Sequence, residues 1–254
     1  MNAADRATHG TLVVPVFNEE ERFNSTYWLE VVRRSSLSLH FVDDGSTDET
    51  ARILDGFCHE HGFMVTRLVT NVGKANALRE GLIRTLSDSD GTPVGFVDAD
   101  AVFDPEDIAQ LRAIMDRKEM RTYDAFFSSR VALSGRDIRR RDSRHYIGRA
   151  IATLLSTSYS PMPYDSQSGL KFFRASDALA QVLQTPFDTR WFFEMELLLR
   201  WRHEKGLPMA VWEEPVHSWF DAPGSKIRGR QALRVTKDLY SVLVQARRSA
   251  SDAQ

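Results

Sequence analysis

The sequence predicts an α/β fold, a mostly parallel central sheet flanked by helices, and three observations lead there. Strand-like and helix-like segments alternate four times between residues 11 and 117. The strand-like segments are nearly continuous apolar runs, as expected of parallel strands covered on both faces. The chain has 254 residues and is 42% hydrophobic, enough for one sizeable core.

The elements follow in order. "TLVVPVF" (11–17) is a β-branched strand, and "NEEERF" after it reads as a helix start that is acidic in its first turn. "SLHFVDD" (38–44) is the second strand. In "DDGSTDET" a turn supplies an N-cap, Ser46 or Thr47, and a helix opens at Glu49 or Thr50. "FMVTRLV" (63–69) is the third strand, followed by a loop and helix in "TNVGKANALREGLIRTL". "PVGFVDA" (93–99) is the fourth, with a helix started by proline in "DPEDIAQLRAIMDR". "YDAFFSS" (123–129) is a fifth strand. The segment 136–156 then reads as a helix, basic first and apolar later. A Pro- and Ser-rich loop (158–169), a short strand "LKFFRA", a helix "RWFFEMELLLRWRHE", a late strand "MAVWEEPVHSW", a loop "DAPGSKIRG" and an amphipathic helix "RQALRVTKDLYSVLVQARR" complete the chain. The expected organisation is a single domain over 1–254, with a nucleotide-binding half at about 11–130 and an acceptor-binding half at about 131–240.

Composition narrows the function classes. The formal net charge is −2, which gives no indication of a nucleic-acid partner. The single cysteine, Cys58, rules out a disulfide framework within the chain and suits a reducing, cytoplasmic setting. The first ten residues are polar and read as no signal peptide, and no window approaches the roughly 20 apolar residues of a spanning helix. The basic-then-apolar segment 136–156 is instead suited to peripheral contact with an anionic membrane surface, or to a homodimer face.

The chemistry lies where the strands end. Ligands of an open parallel sheet bind beyond the carboxyl ends of its strands. Asn18 and Glu19 follow the first strand, Asp43 and Asp44 the second, Asn71, Gly73 and Lys74 the third, Asp98 and Asp100 the fourth, and Ser128, Ser129 and Arg130 the fifth. Residues two apart on a strand share a face, so Asp98 and Asp100, on either side of Ala99, can both reach one hard cation, Mg²⁺ or Mn²⁺. Such an ion stabilises charge on a diphosphate leaving group. Asp43 or Asp44 can accept hydrogen bonds from a base or a ribose, and Lys74 at a helix start can face a diphosphate. Neither a G-x-G-x-x-G turn after the first strand nor a P-loop signature is present, which removes the main support for nicotinamide and P-loop readings.

These motifs, "TLVVPVFNEEERF", "FVDDGSTDET", "NVGKANALREGL" and "FVDADAVFDPEDI", resemble the family 2 glycosyltransferases of the GT-A fold. Downstream, "SSR" (128–130), "DSQSGLKFF" (165–173), "RWFFEMELL" (190–198) and "EEPVHSWFDAPGSKI" (213–227) resemble dolichyl-phosphate β-glucosyltransferases, with dolichol-phosphate mannose synthases slightly further off. The resemblance implies an inverting transfer of a hexose, glucose by preference, from a UDP-linked donor to a polyprenyl phosphate. It implies that Pro15, Phe17, Glu19 and Asp43 line the nucleoside pocket, that Asp98 and Ala99 face the donor, and that Asp100 is the main metal ligand. It further implies that Arg130 meets phosphates, that Asp165 and Gln167 lie near the sugar, and that Lys226 reaches a phosphate from the last loop. The chain departs from the pattern at Val102, where mannose synthases carry a glutamine, and at Glu194, where the glucosyltransferases carry Asp.

A phosphate acceptor is already ionised near neutral pH and needs no general base. Arg130, Lys171, Lys226 and Arg228 are then the candidate acceptor contacts. A hydroxyl on a small-molecule acceptor, the alternative, needs a carboxylate base, and Asp165, Glu194 and Glu196 are available. Glu194 and Glu196, two apart on one helix, are expected to face different sides. A nucleotidyltransferase would need a glycine- and lysine-rich signature near the first strand, which is missing.

Overall fold

The computed structural model describes residues 9–88, 91–139, 153, 159–190, 192–220 and 237–244. A seven-stranded sheet organises the molecule. Its strands are β1 (Thr11–Val16), β2 (Ser38–Asp43), β3 (Met64–Arg67), β4 (Val94–Val97), β5 (Ala125–Ser129), β7 (Leu170–Phe173) and β8 (Val211–Pro215), in the order β3-β2-β1-β4-β7-β5-β8. β1, β2, β3 and β4 run parallel, and so do β5 and β8. β7 alone is antiparallel, to β4 on one side and β5 on the other. That inversion matters for the site: Leu170, the first residue of β7, pairs with Val97, the last of β4. The loop entering β7 therefore lies at the same rim as the loops leaving β1, β2 and β4.

Helices cover both faces. They are α1 (Ser25–Ser35), α2 (Thr50–His61), α3 (Lys74–Ser87), α4 (Pro105–Ile114), α5 (Asp177–Val182) and α6 (Phe193–Lys205). Because successive strand residues point to opposite faces, each strand feeds two cores. Val13, Val42, Phe96, Phe127 and Phe173 pack with Leu78 and Leu82 of α3 and Phe193 and Leu197 of α6. Leu12, Val14, Phe41, Phe126 and Phe172 pack with Trp28 of α1, Leu54 of α2 and Ile108 of α4. Gly81 permits a close approach of α3 to the sheet: a Cβ there would lie 2.5 Å from Val13 and 2.6 Å from Val42. The C-terminal helix at 237–244 buries Val242 against the first core and leaves Tyr240 exposed.

Several boundaries differ from expectation. "NEEERF" does not start a helix; α1 begins at Ser25, capped by the Asn24 side chain accepting from the Tyr27 N–H. The backbone N–H groups of Asn18, Glu19 and Glu20 are instead taken by Ser46, Thr50 and Asp48, which holds this stretch as a turn. For the same reason Ser46 and Thr47 do not cap α2: they pair with Asn18, and α2 opens at Thr50. The late strand splits after Pro215. Ser218–Phe220 (β9) leaves the large sheet and pairs in parallel with Asp137–Arg139 (β6), a strand inside the segment read as a helix. The rest of 136–156, apart from Arg136 and Thr153, lies outside the described residues. Among the described residues no helix is long and apolar enough to cross a membrane.

Candidate active site

The loops after β1 and β2 are joined before they meet any ligand. Asn18, in the left-handed region at φ 52°, accepts from the Thr47 N–H at 2.9 Å and donates its own N–H to Ser46 Oγ at 3.0 Å. Glu20 accepts from the Glu49 N–H at 2.7 Å. This zipper fixes Pro15, half-buried in β1, and Phe17, which is 42% exposed at the strand end and presents an aromatic surface at the rim. Asp43 is buried and accepts from the Ser46 N–H. Asp44 is buried too, and both its oxygens are used: it accepts from Val72 at 2.7 Å and Gly73 at 2.9 Å. Asp44 thus ties the β2 loop to the β3–α3 loop.

At the end of β4, Asp98 is clamped on three sides. Its N–H donates to the Gly169 carbonyl at 3.0 Å, and Oδ1 pairs with Lys74 Nζ at 2.5 Å. Gly169 leaves room for the carboxylate: a Cβ there would lie 2.4 Å from Asp98 Oδ2. Burial alone would push the Lys74 pKa down, but Asp98, Glu194 and Asp100 hold it above the ordinary lysine value. Ala99 is half-buried between the two aspartates. The chain turns after Asp100 through Ala101 at φ 55°, a conformation that costs a non-glycine residue about 1 kcal/mol.

Asp100 is incompletely satisfied. Its Oδ1 is buried with no hydrogen-bond partner. Burial, then the negative charge of Asp98, push its carboxyl up to about 6, against the pull of Lys74. Glu19 shares the condition: Oε2 is buried without a partner while Oε1 pairs with Arg22, and burial raises its pKa. Partnerless carboxylate oxygens at one rim fit a hard cation, which takes oxygen ligands. Among the described residues no group of three or more His, Cys, Asp or Glu is arranged to hold a metal. An ion held by Asp98 and Asp100 would therefore draw its remaining ligands from phosphate oxygens and water. Val102, at the position of the extra glutamine, is buried in the second core.

Beyond β4, the loop 165–169 builds the other wall. Asp165 takes Arg130 in a bidentate pair, with Nε and Nη2 each at 2.7 Å, and also accepts from the Arg130 N–H at 2.9 Å. The guanidinium lies over the Trp219 ring, 5.0 Å from its centroid. Glu213 on β8 anchors this loop by accepting from the N–H groups of Tyr164 and Asp165. Gln167 donates to Glu194 Oε2 at 3.3 Å.

Some candidates have other occupations. Glu196 is buried and accepts from the Asp188 and Thr189 N–H groups and the Thr189 hydroxyl, and it pairs with Arg200 at 2.6 Å. It braces a loop, and the donors of Asp188, Thr189 and Arg200 occupy both its oxygens, which counts against the expected role as a base. Lys171 is fully buried between the rings of Phe96 and Phe127, 3.6 Å from Glu194, and so is no contact for an acceptor. Burial pushes the Lys171 pKa down and the Glu194 pKa up, and their mutual attraction opposes both shifts. Glu194 and Glu196 are both buried, but they face different partners, as their spacing led one to expect: Glu194 meets Gln167 and Lys171, and Glu196 the 188–189 loop and Arg200. His217 pairs with Asp107 of α4. Lys226 and Arg228 lie outside the described residues. Sequence reasoning missed the Asp98–Gly169 contact and the double use of Asp44. Gly169 stood within a quoted motif, but nothing local marks its partner 71 residues away.

The fold is that of the GT-A glycosyltransferases. The family model of glycosyl transferase family 2 matches residues 11–198, and the chain belongs to that family of glycosyltransferases. A dolichyl-phosphate β-glucosyltransferase of Trichomonas vaginalis is 26% identical over 248 residues, covering 92% of this chain and 70% of that protein. One of Homo sapiens is 26% identical over 239 residues, covering 85% and 69%. Among solved structures, a mannosyltransferase from Pyrobaculum calidifontis in complex with GDP-Man and Mn²⁺ superposes with a TM-score of 0.61 at 18% identity, over 97% of this chain and 66% of that one. Glucosyl-3-phosphoglycerate synthase from Mycobacterium tuberculosis, in complex with Mn²⁺, UDP and glucosyl-3-phosphoglycerate, superposes with a TM-score of 0.60 at 19% identity, over 96% and 82%.

Proposed function

We propose that this glycosyltransferase moves glucose, with inversion, from UDP-glucose to a polyprenyl phosphate such as dolichyl phosphate, with Mg²⁺ or Mn²⁺ bound at Asp98 and Asp100. The observation that carries the reading is the partnerless, buried Asp100 Oδ1 beside the Asp98–Lys74 pair at the sheet rim. The names of the most similar relatives support the sugar and the acceptor.

Phe17 and Pro15 would offer the apolar surface for the base, and Asp43 an acceptor for its N–H. Glu19 would stand nearby, its Oε2 open to a donor or a cation. Lys74 would place positive charge by the diphosphate. When bound, the divalent cation supplies Lewis-acid stabilisation of the departing diphosphate. An acceptor phosphate oxygen attacks the anomeric carbon. The new C–O bond forms as the bond to the UDP β-phosphate breaks, and the electron pair leaves on the diphosphate. An α-linked donor thereby gives a β-linked product, and no proton has to be removed from a phosphate ionised near neutral pH. Arg130, held in plane by Asp165 and Trp219, would align the acceptor phosphate. Gln167, fixed by Glu194, would face the sugar. Peripheral membrane contact through 136–156 and a homodimer belong to the same proposal.

The test is transfer from labelled UDP-glucose to dolichyl phosphate in detergent, beside a water-soluble phosphate monoester and a hydroxyl acceptor, with NMR of the product linkage. The expected product is a β-linked glucosyl phospholipid. Transfer to the soluble acceptors alone would replace this reading with a small-molecule glucosyltransferase.

A further inference from the structure

Residues 184–190, between α5 and α6, are tied down almost residue by residue. Arg79 of α3 donates to the Gln184 carbonyl at 2.5 Å. Arg200 of α6 donates to Thr185 and Pro186, each at 2.6 Å. Asn76 of α3 both donates to the Phe187 carbonyl at 3.2 Å and accepts from its N–H at 2.8 Å. Glu196 holds Asp188 and Thr189. The Arg190 N–H donates to Asp238 of the C-terminal helix at 2.8 Å. These anchors, buried at Thr189 and exposed toward both ends, fix the backbone of the residue at the end of the connection.

That residue is Arg190, which is exposed, and its side chain lies against Gly73. A Cβ at Gly73 would be 3.6 Å from the guanidinium carbon and from Nε. That is ordinary van der Waals spacing, and it places the guanidinium at the start of α3, against the residue next in the chain to Lys74. Among the described residues no carboxylate or carbonyl takes the guanidinium. The nearby Asp44 has both oxygens committed to Val72 and Gly73. Arg190 thus stands at the N-terminal end of α3, at the residue before Lys74, whose own charge is met by Asp98. The amino end of a helix favours an anion, and the guanidinium fork matches phosphate geometry.

We infer that Arg190 is a phosphate-binding residue, which with Lys74 grips the diphosphate of the donor. This rests on the nucleotide-sugar reading above and adds a residue from the second half of the chain to the donor site.

Calorimetry on the full chain, with and without Mn²⁺, tests it using UDP, uridine and inorganic pyrophosphate against wild type, Arg190→Gln and Arg190→Lys. The glutamine variant is expected to bind UDP and pyrophosphate about 10- to 100-fold more weakly, the loss of one charge-assisted contact, and uridine as before. Lysine is expected to recover part of the loss, and thermal melting to stay unchanged. UDP affinity in Arg190→Gln within twofold of wild type would overturn the inference. So would normal UDP affinity with a raised KM for the acceptor alone, which would assign Arg190 to the acceptor phosphate. Wild-type protein that binds pyrophosphate through Arg190 but no UDP would instead overturn the nucleotide reading and leave the anion site standing. Binding of neither would overturn both.

Discussion

Asp100 and Lys171 show how differently a charge can be buried in the same molecule. Asp100 Oδ1 has no donor, and burial together with Asp98 raises its carboxyl to about 6, so its charge is less well compensated than that of a free aspartate. Lys171 lies deeper, fully buried under the rim, but Glu194 at 3.6 Å and the Ser168 carbonyl compensate it. A buried pair of this kind is strongly destabilised by removing one partner, and far less by removing both. Lys171→Met alone and Glu194→Leu alone are each expected to lower the urea-unfolding free energy by about 3–5 kcal/mol. The double variant is expected to recover most of that stability. It is still expected to turn over poorly, because Gln167 loses the carboxylate that fixes it. Additive stability losses in the double variant would show that the two charges do not act as a pair.

Between elements, the same logic appears in polar bridges that the sheet carries inside. His40 on β2 is fully buried and joins Thr66 of β3 to Thr85 of α3, each at 2.9 Å. Burial pushes its pKa down from 6.5 to about 4. A depressed histidine contributes stability that is whole above about pH 6.5 and is lost as the pH falls through about 4. Unfolding free energy is expected to fall by on the order of 3 kcal/mol across that window. His40→Asn, which cannot titrate, is expected to flatten the profile; an unchanged profile would remove His40 as its source. Such bridges also mark the limit of what the sequence discloses. The βα alternation, the proline-started α4 and the clustering of Asp43, Asp98 and Lys74 at strand ends were legible, because periodicity and turn chemistry are local signals. The start of α1 was not, because the N–H groups of Asn18, Glu19 and Glu20 are claimed by residues 28 to 31 positions away. The split of the late strand was equally hidden, since β9 departs to pair with β6. Glu196 looked like a base only because the loop it braces is invisible from its helix.

At the scale of the whole molecule, one sheet gathers its chemistry at one rim by inverting a single strand. β7 runs against its neighbours, so the loop 165–169 reaches Asp98 from the second half of the chain while β1, β2 and β4 arrive from the first. Gly169 against Asp98, Asp165 against Arg130 and Asn76 against Phe187 are the seams of that assembly. Each joins residues 35 to 111 positions apart, which is why the sequence indicated which residues matter better than it indicated their partners. The central claim is that this rim binds a UDP-sugar through a cation at Asp98 and Asp100. Its most direct test is a calorimetric titration of UDP-glucose into wild type and Asp100→Ala, each with Mn²⁺ and with EDTA. The account predicts binding by wild type in Mn²⁺ that is at least tenfold weaker in EDTA and equally weakened by the substitution. Equal affinity in all four titrations, or no binding in any, would contradict it.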